Sequence, residues 1–219
     1  MENTQEKKRA VRLLNADTVL SIKFKRVEFQ GEWRKLIGCP ALVGVWIIWA
    51  QTSNGKTTAA MKLAKYLTDF EKVMYWSKEE GLSDPLQDAL IRARLNPKQK
   101  KRMFFVPGGE TFEQFKARLR DPKTPRVVFM DSLQVFAKVY GSQFYYELKE
   151  EFAATHLFIF ISQAEGANPK GAIGDDVRYD ANVKMRVERF KLTCESRIRE
   201  SEKGTFVIVD EKMYNEYWT

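Results

Sequence analysis

The stretch IWAQTSNGKTTAAMKLAKYL, residues 48–67, decides the fold. An apolar run ends at Trp49 or Ala50 and a short polar loop follows. Gly55-Lys56-Thr57-Thr58 then opens a helical pattern with Ala60, Leu63, Ala64 and Leu67 on one stripe. Strand, loop and helix in this order set backbone N–H groups and a helix N-terminus around an anion, as a phosphate-binding loop does. Gln51, Thr52, Ser53, Asn54, Gly55, Lys56, Thr57 and Thr58 are the expected nucleotide contacts. Lys56 would reach the β- and γ-phosphates, and the Thr57 hydroxyl would ligate Mg2+. One position departs from G-x-x-x-x-G-K-[ST]: Ala50 stands where the first glycine is expected. A small side chain should fit there, because Gly55, where backbone must come close to phosphate, is retained.

Around this stretch, buried-strand runs alternate with helical patterns. VGVWIIWA (43–50), KVMYWS (72–77), MFFVP (103–107), RVVFMD (126–131) and HLFIFIS (156–162) are β-branched or aromatic and nearly continuous in apolarity. Strands covered on both faces read this way. Between them, DPLQDALIRARL starts with Asp84 as N-cap and Pro85 behind it, and TFEQFKARLR starts with Thr111 as N-cap. FYYELKEEFAAT is a further helix. The alternation predicts an α/β fold with a central parallel sheet and helices on both faces. Residues 164–182, rich in Gly, Asn, Asp and Pro, read as a long mobile loop. ANVKMRVERFKLTCE and GTFVIVDE read as two alternating strands, an antiparallel C-terminal pair. Trp33, Leu36 and Ile37 fall at helical spacing within a 1–42 extension, disordered over its first ten residues, ahead of a 43–219 core.

Composition narrows the chemistry. The 219 residues suit one domain, and 44% apolar residues suffice for a core. The longest apolar run, ALVGVWIIWA, has ten residues and is too short to span a membrane. The start, MENTQEKKRAVR, is polar and basic with no apolar run behind it, which points away from a secretory leader. Two cysteines offer neither a disulfide framework nor a metal quartet, so a reducing cytoplasm is the expected compartment. The single histidine, His156, excludes a histidine-rich zinc site and reads as structural. A net charge of +8 favours a polyanionic partner.

Three further motifs end their strands in polar residues. RVVFMDSL places Asp131 at the C-terminal end of a strand, where a carboxylate faces the ligand crevice and holds Mg2+ through water. KVMYWSKEEG supplies Glu79 and Glu80, either of which would polarise water for attack on the γ-phosphate. HLFIFISQAEG ends in Ser162-Gln163, where a glutamine senses the γ-phosphate by a hydrogen bond.

In this order the motifs resemble the RecA-type ATPase core shared with DnaB-type helicases and RadA-like proteins, over roughly residues 30–210. In size the chain is similar to the minimal RecA-core proteins of phages and mobile elements, which are linked to annealing and recombination. Ser77-Lys78-Glu79 matches the family's S-x-E, so the resemblance makes Glu79 the catalytic base and Glu80 the reserve. It implies Walker A and Walker B strands flanking the Ser-Gln strand. It also implies a ring or filament of identical subunits with ATP at the interfaces, and single-stranded DNA as partner. A basic finger from a neighbouring subunit would come from Lys184, Arg186, Arg189, Lys191, Arg197 or Arg199, with Arg197 favoured at a turn. Lys184 and Arg186 share one strand face, which Lys191 joins if the strand runs unbroken.

The 164–182 loop, with Lys170 and Arg178 but also Asp175 and Asp176, resembles the second DNA loop of the family. AKVYGSQ would be the first, presenting Lys138, Tyr140 and Gln143. RARLNPKQKKR carries six basic residues and no acid, and reads either as a DNA patch or as a solvated helix end. Competing functions are a helicase loader, a small-molecule kinase and a non-hydrolysing, nucleotide-gated regulator. The loader's helical lid is disfavoured by the strand-like GTFVIVDE.

Overall fold

The structure is a computed structural model that describes residues 13–198 and 200–218. The expectations for the first ten residues, and for Arg199 as a finger, lie outside the described residues. Two short helices, α1 (Ala16–Ser21) and α2 (Gly31–Ile37), precede strand β1 (Gly44–Ala50), which runs through the loop into α3 (Lys56–Leu67). Then come β2 (Val73–Ser77), α4 (Asp84–Ala93), α5 (Pro97–Lys100), β3 (Met103–Phe105), α6 (Phe112–Arg120) and β4 (Val127–Asp131). Helices α7 (Leu133–Tyr140) and α8 (Gln143–Phe152) lead to β5 (Leu157–Glu165), β6 (Asn168–Pro169) and α9 (Gly171–Asp180). Strands β7 (Val183–Glu188), β8 (Lys191–Ser196) and β9 (Phe206–Ile208) and helix α10 (Glu211–Trp218) complete the described chain.

The main sheet runs β3-β2-β4-β5-β1-β7-β8-β9, with β6 paired to the end of β5. Strands β3 through β7 in this order are mutually parallel, whereas β8 and β9 run antiparallel. The five apolar runs read from the sequence are β1 to β5, and β5 lies between β1 and β4, as the family resemblance implied. One face is covered by α2, α3 and α4, with Trp33, Leu36 and Ile37 buried among Leu63, Leu67 and Trp46. The other is covered by α6 to α9 around Trp76, Phe115, Phe136, Phe144 and Phe160. His156 is buried, its ring stacked on Phe158, and its carbonyl accepts from Gly44 N–H. Among the described residues no helix is long and apolar enough to cross a membrane.

Several expectations are corrected. Residues 164–182 are not a loop: β5 runs on to Glu165, a tight hairpin forms β6, and ten residues are helical. Ile173, Gly174, Val177 and Ala181 are its buried stripe, masked in the sequence by the Gly and Asp content. Gly174 serves close packing, because a Cβ there would sit 2.9 Å from Pro169 Cβ. AKVYGSQ is the end of α7, a short link at Gly141-Ser142 and the start of α8, and Tyr140 is turned inward, its hydroxyl donating to Glu110 O (2.8 Å). KMRVERFKLTCE is broken by a two-residue turn at Arg189 and Phe190, both with positive φ, so it forms β7 and β8. An unbroken strand would have turned Lys191 to the opposite face; the turn brings it to the Lys184 and Arg186 face from β8, opposite Glu188. The N-cap of α4 is Ser83, one residue earlier than read.

Ala50 is resolved by its place in the sheet. It is the last residue of β1, buried, and paired with Gln163 on one side and Val187 on the other. Its φ is not positive, so nothing in the backbone requires glycine there. Ala50→Gly is expected to destabilise the fold by roughly 0.5–1 kcal/mol through lost strand rigidity and packing. Urea denaturation should show that loss, and nucleotide titration should show no gain in affinity.

Candidate nucleotide site

The loop after β1 is shaped by its own residues and by the β7–β8 turn. Asn54 donates from Nδ2 to Thr52 O (3.1 Å), and its Oδ1 accepts from Arg189 N–H (2.7 Å). Its carbonyl accepts from Phe190 N–H (3.1 Å). Asn54 therefore fixes the loop from outside and does not line the cavity, unlike the expected contact. Gly55 has φ +90, and a Cβ on it would lie 2.6 Å from Phe190 Cδ1 and 3.2 Å from Val209 Cγ2. This glycine is demanded by both conformation and packing. As N-cap of α3 it leaves the first N–H groups without a side-chain cap, free for an anion.

The Phe190 ring lines the cavity while its far side stacks on Tyr217 of α10. Trp218 Nε1 donates to Arg189 O (3.0 Å), so the C-terminal helix buttresses the same turn.

A cavity of about 340 Å³ opens over the helix N-terminus. Gln51, Thr52, Ser53, Gly55, Lys56, Thr57 and Thr58 line it, with Glu79 and Glu80 from the end of β2, Asp131 from β4, and Gln163 from β5. Parallel strands bring these segments together because their C-terminal ends share one edge. Lys56 Nζ lies 3.9 Å from Glu79 Oε2. Backbone N–H groups of Lys78 and Glu79 donate to Asp131 O at 2.6 and 3.3 Å, and Glu80 N–H donates to Ser77 Oγ at 3.1 Å. Those bonds tie the two acidic strand ends to each other.

Asp131 is strongly perturbed. Burial pushes its carboxyl up to about 6, with Glu79 and Glu80 adding to the rise; Lys56 and the Tyr75 hydrogen bond oppose it. Tyr75 OH donates to Asp131 Oδ2 at 2.8 Å, while Oδ1 is buried with no hydrogen-bond partner among the described residues. Tyr75 escaped the sequence reading. Its register partner is Phe129, so it reaches Asp131 on the diagonal, which only the strand pairing reveals. The orphaned Oδ1, on a residue that lines the same cavity as Thr57, fits a divalent cation. Mg2+ takes few protein carboxylates and completes its shell with water and substrate oxygens. Bound there, it would neutralise phosphate charge.

Gln134 also escaped the sequence reading. Its Oε1 accepts from Gln163 N–H (3.1 Å), and its Nε2 donates to Ser162 Oγ (2.7 Å) and Lys170 O (2.9 Å). It clamps the end of β5 to the start of α9 and leaves the Gln163 side chain to the cavity. Arg197 is not brought to this cavity. It lies past β8, where its N–H donates to Asn182 O and its guanidinium to Tyr179 O, near the N-terminal end of β1. Arg178 is held over the Trp49 ring and donates to Asn168 Oδ1.

No protein-family model matches the sequence, and no curated protein sequence matches it. Solved structures do. The flagellar accessory protein FlaH from Methanocaldococcus jannaschii aligns over 84% of this chain and 93% of its own, with TM-score 0.58 and 16% identity. The fold is RecA-like. The KaiC-like protein PH0186 from Pyrococcus horikoshii OT3 covers 75% of this chain and 81% of its own, at TM-score 0.59 and 16% identity. The ATP synthase subunit NeqB from Nanoarcheaum equitans covers 72% and 49%, at TM-score 0.54 and 9% identity. These likenesses show the fold alone and carry no residue assignment.

The buried Asp131 sets a pH dependence. Its folded carboxyl keeps the proton to higher pH than an unfolded one. The group therefore costs stability as pH rises from about 4 through about 6. Asp131→Asn is expected to raise the melting temperature at neutral pH, worth up to about 3 kcal/mol. The difference should close near pH 4, as thermal unfolding across this range would show.

Proposed function

We propose that this chain is an ATP-hydrolysing RecA-like protein that acts on single-stranded DNA in binding, annealing or recombination. In this reading it works in the cytoplasm as a ring or filament, with ATP at subunit interfaces. The observation that carries the reading is the convergence of Lys56, Asp131 and Glu79 on one cavity over an uncapped helix N-terminus. Lys56 and the loop N–H groups hold the phosphates, and Thr57 and Asp131 hold Mg2+. Glu79 orients and deprotonates the attacking water, and Gln163 reports the γ-phosphate to the end of β5.

The subunit-bridging finger is drawn from the basic residues of β7 and β8. Arg197 was favoured from the sequence. Arg186, level with Trp49 at the loop end of the sheet and paired with Glu188, and Lys191 beside the turn remain candidates with it.

The length match to FlaH, described as an accessory protein, favours a second reading: a nucleotide-gated regulator or helicase loader that binds ATP to hold a partner. ATP hydrolysis by the purified chain, with and without single-stranded DNA at two salt concentrations, separates the two. Stimulation that fades with salt supports the DNA-dependent enzyme; turnover indifferent to DNA supports the regulator. Lys56→Ala should lower turnover about a hundredfold or more, and near-normal turnover would sink the phosphate-loop assignment. Glu79→Gln should keep ATP binding and slow hydrolysis by about two to four orders of magnitude. That phenotype in Glu80→Gln alone would move the base to Glu80.

A further inference from the structure

The helix that replaces the expected DNA loop is acidic. Asp176 accepts from Tyr146 OH, and Asp180 pairs with Lys149. Unpaired positive charge lies elsewhere, on the run that ends α4, forms α5 and enters β3. Arg92, Arg94, Lys98, Lys100 and Lys101 are all exposed there. None of these five side chains has an ion-pair or hydrogen-bond partner among the described residues. Arg102 follows, its Nε buried without a hydrogen-bond partner. Cations at a helix C-terminus are explained for one or two positions by the helix dipole, which fades within a turn. A capping box at Asn96 and Gln99 turns the chain so that charge continues past the end of α4.

An apolar trough of about 280 Å³, walled by Leu90, Ile91, Leu95, Met103 and Phe105, has Lys100 in its lining, whereas Arg92 and Arg94 line a separate cavity against α3. Ile91 is 67% exposed.

We propose that this face, made by the end of α4, α5 and the edge strand β3, is where the protein holds single-stranded nucleic acid. Phosphates meet Lys98, Lys100 and Lys101 of α5 and its C-terminal end, with Arg92 and Arg94 further along the chain's path, and bases lie against the trough. A strand that offers both a regular row of negative charge and open base faces matches a surface that alternates cations with apolar walls. A duplex keeps its bases stacked inside and has no use for the trough. The proposal rests on the single-stranded DNA reading above and gives it a surface away from the nucleotide cavity.

The test is fluorescence anisotropy of a labelled oligothymidylate at several salt concentrations. The parent is compared with the Lys98→Gln, Lys100→Gln, Lys101→Gln triple variant and, independently, with an Arg92→Gln, Arg94→Gln pair. Circular dichroism melting confirms that each is folded. The triple variant should bind about tenfold more weakly or worse at low salt. Its slope of log affinity against log salt should be shallower by about 2, at roughly 0.7 per lost phosphate contact. Ile91→Ala should weaken binding with the slope unchanged. A parent that binds, with both cation variants matching it in affinity and slope, overturns this surface and leaves the DNA reading standing. A parent that ignores the oligonucleotide with and without ATP overturns both.

Discussion

Strand β5 is hydrogen-bonded along both edges, to β1 on one side and β4 on the other, and the site depends on that double pairing. The registers put Gln163 level with Ala50 and Ile161 level with Asp131. The loop after β1, the buried carboxylate and the polar end of β5 are thereby fixed on one edge of the sheet, with Asp131 two residues below the level of Ala50 and Gln163. A one-residue slip of β5 would turn Gln163 to the opposite face.

The same arrangement places a carboxylate where it is poorly solvated. Asp131 keeps one oxygen satisfied by Tyr75 and leaves the other without a partner. A buried polar atom left open is a cost to the fold alone, and its removal is stabilising in many proteins. Here the carboxylate lines the same cavity as the loop, and the Lys56 charge partly offsets its cost.

Around the loop, the C-terminal third acts as a splint. The β7–β8 turn bonds to Asn54, Phe190 fills the space a side chain at Gly55 would need, and α10 clasps the turn through Trp218. Chain segments more than 130 residues apart in sequence hold one loop of five residues in shape. This explains how the loop tolerates Ala50. Its conformation is imposed from outside and does not depend on flexibility where it leaves the strand.

The sequence by itself determined the strand-forming runs, their parallel arrangement, the phosphate loop and the polar residues at the strand ends. These are local signals: continuous apolarity, a capped helix start, a carboxylate after a buried run. Tertiary structure alone decided what residues 164–182 become, because their few apolar positions form a stripe only when α7 and β1 are there to cover it. It alone joined Tyr75 to Asp131 and Gln134 to Gln163, contacts set by strand register and helix placement across 56 and 29 residues of sequence. It also split the basic residues into bound and free, holding Arg178 and Arg197 in hydrogen bonds and leaving the α4–α5 cations to solvent. Charge is a property of composition, but the availability of charge is a property of packing.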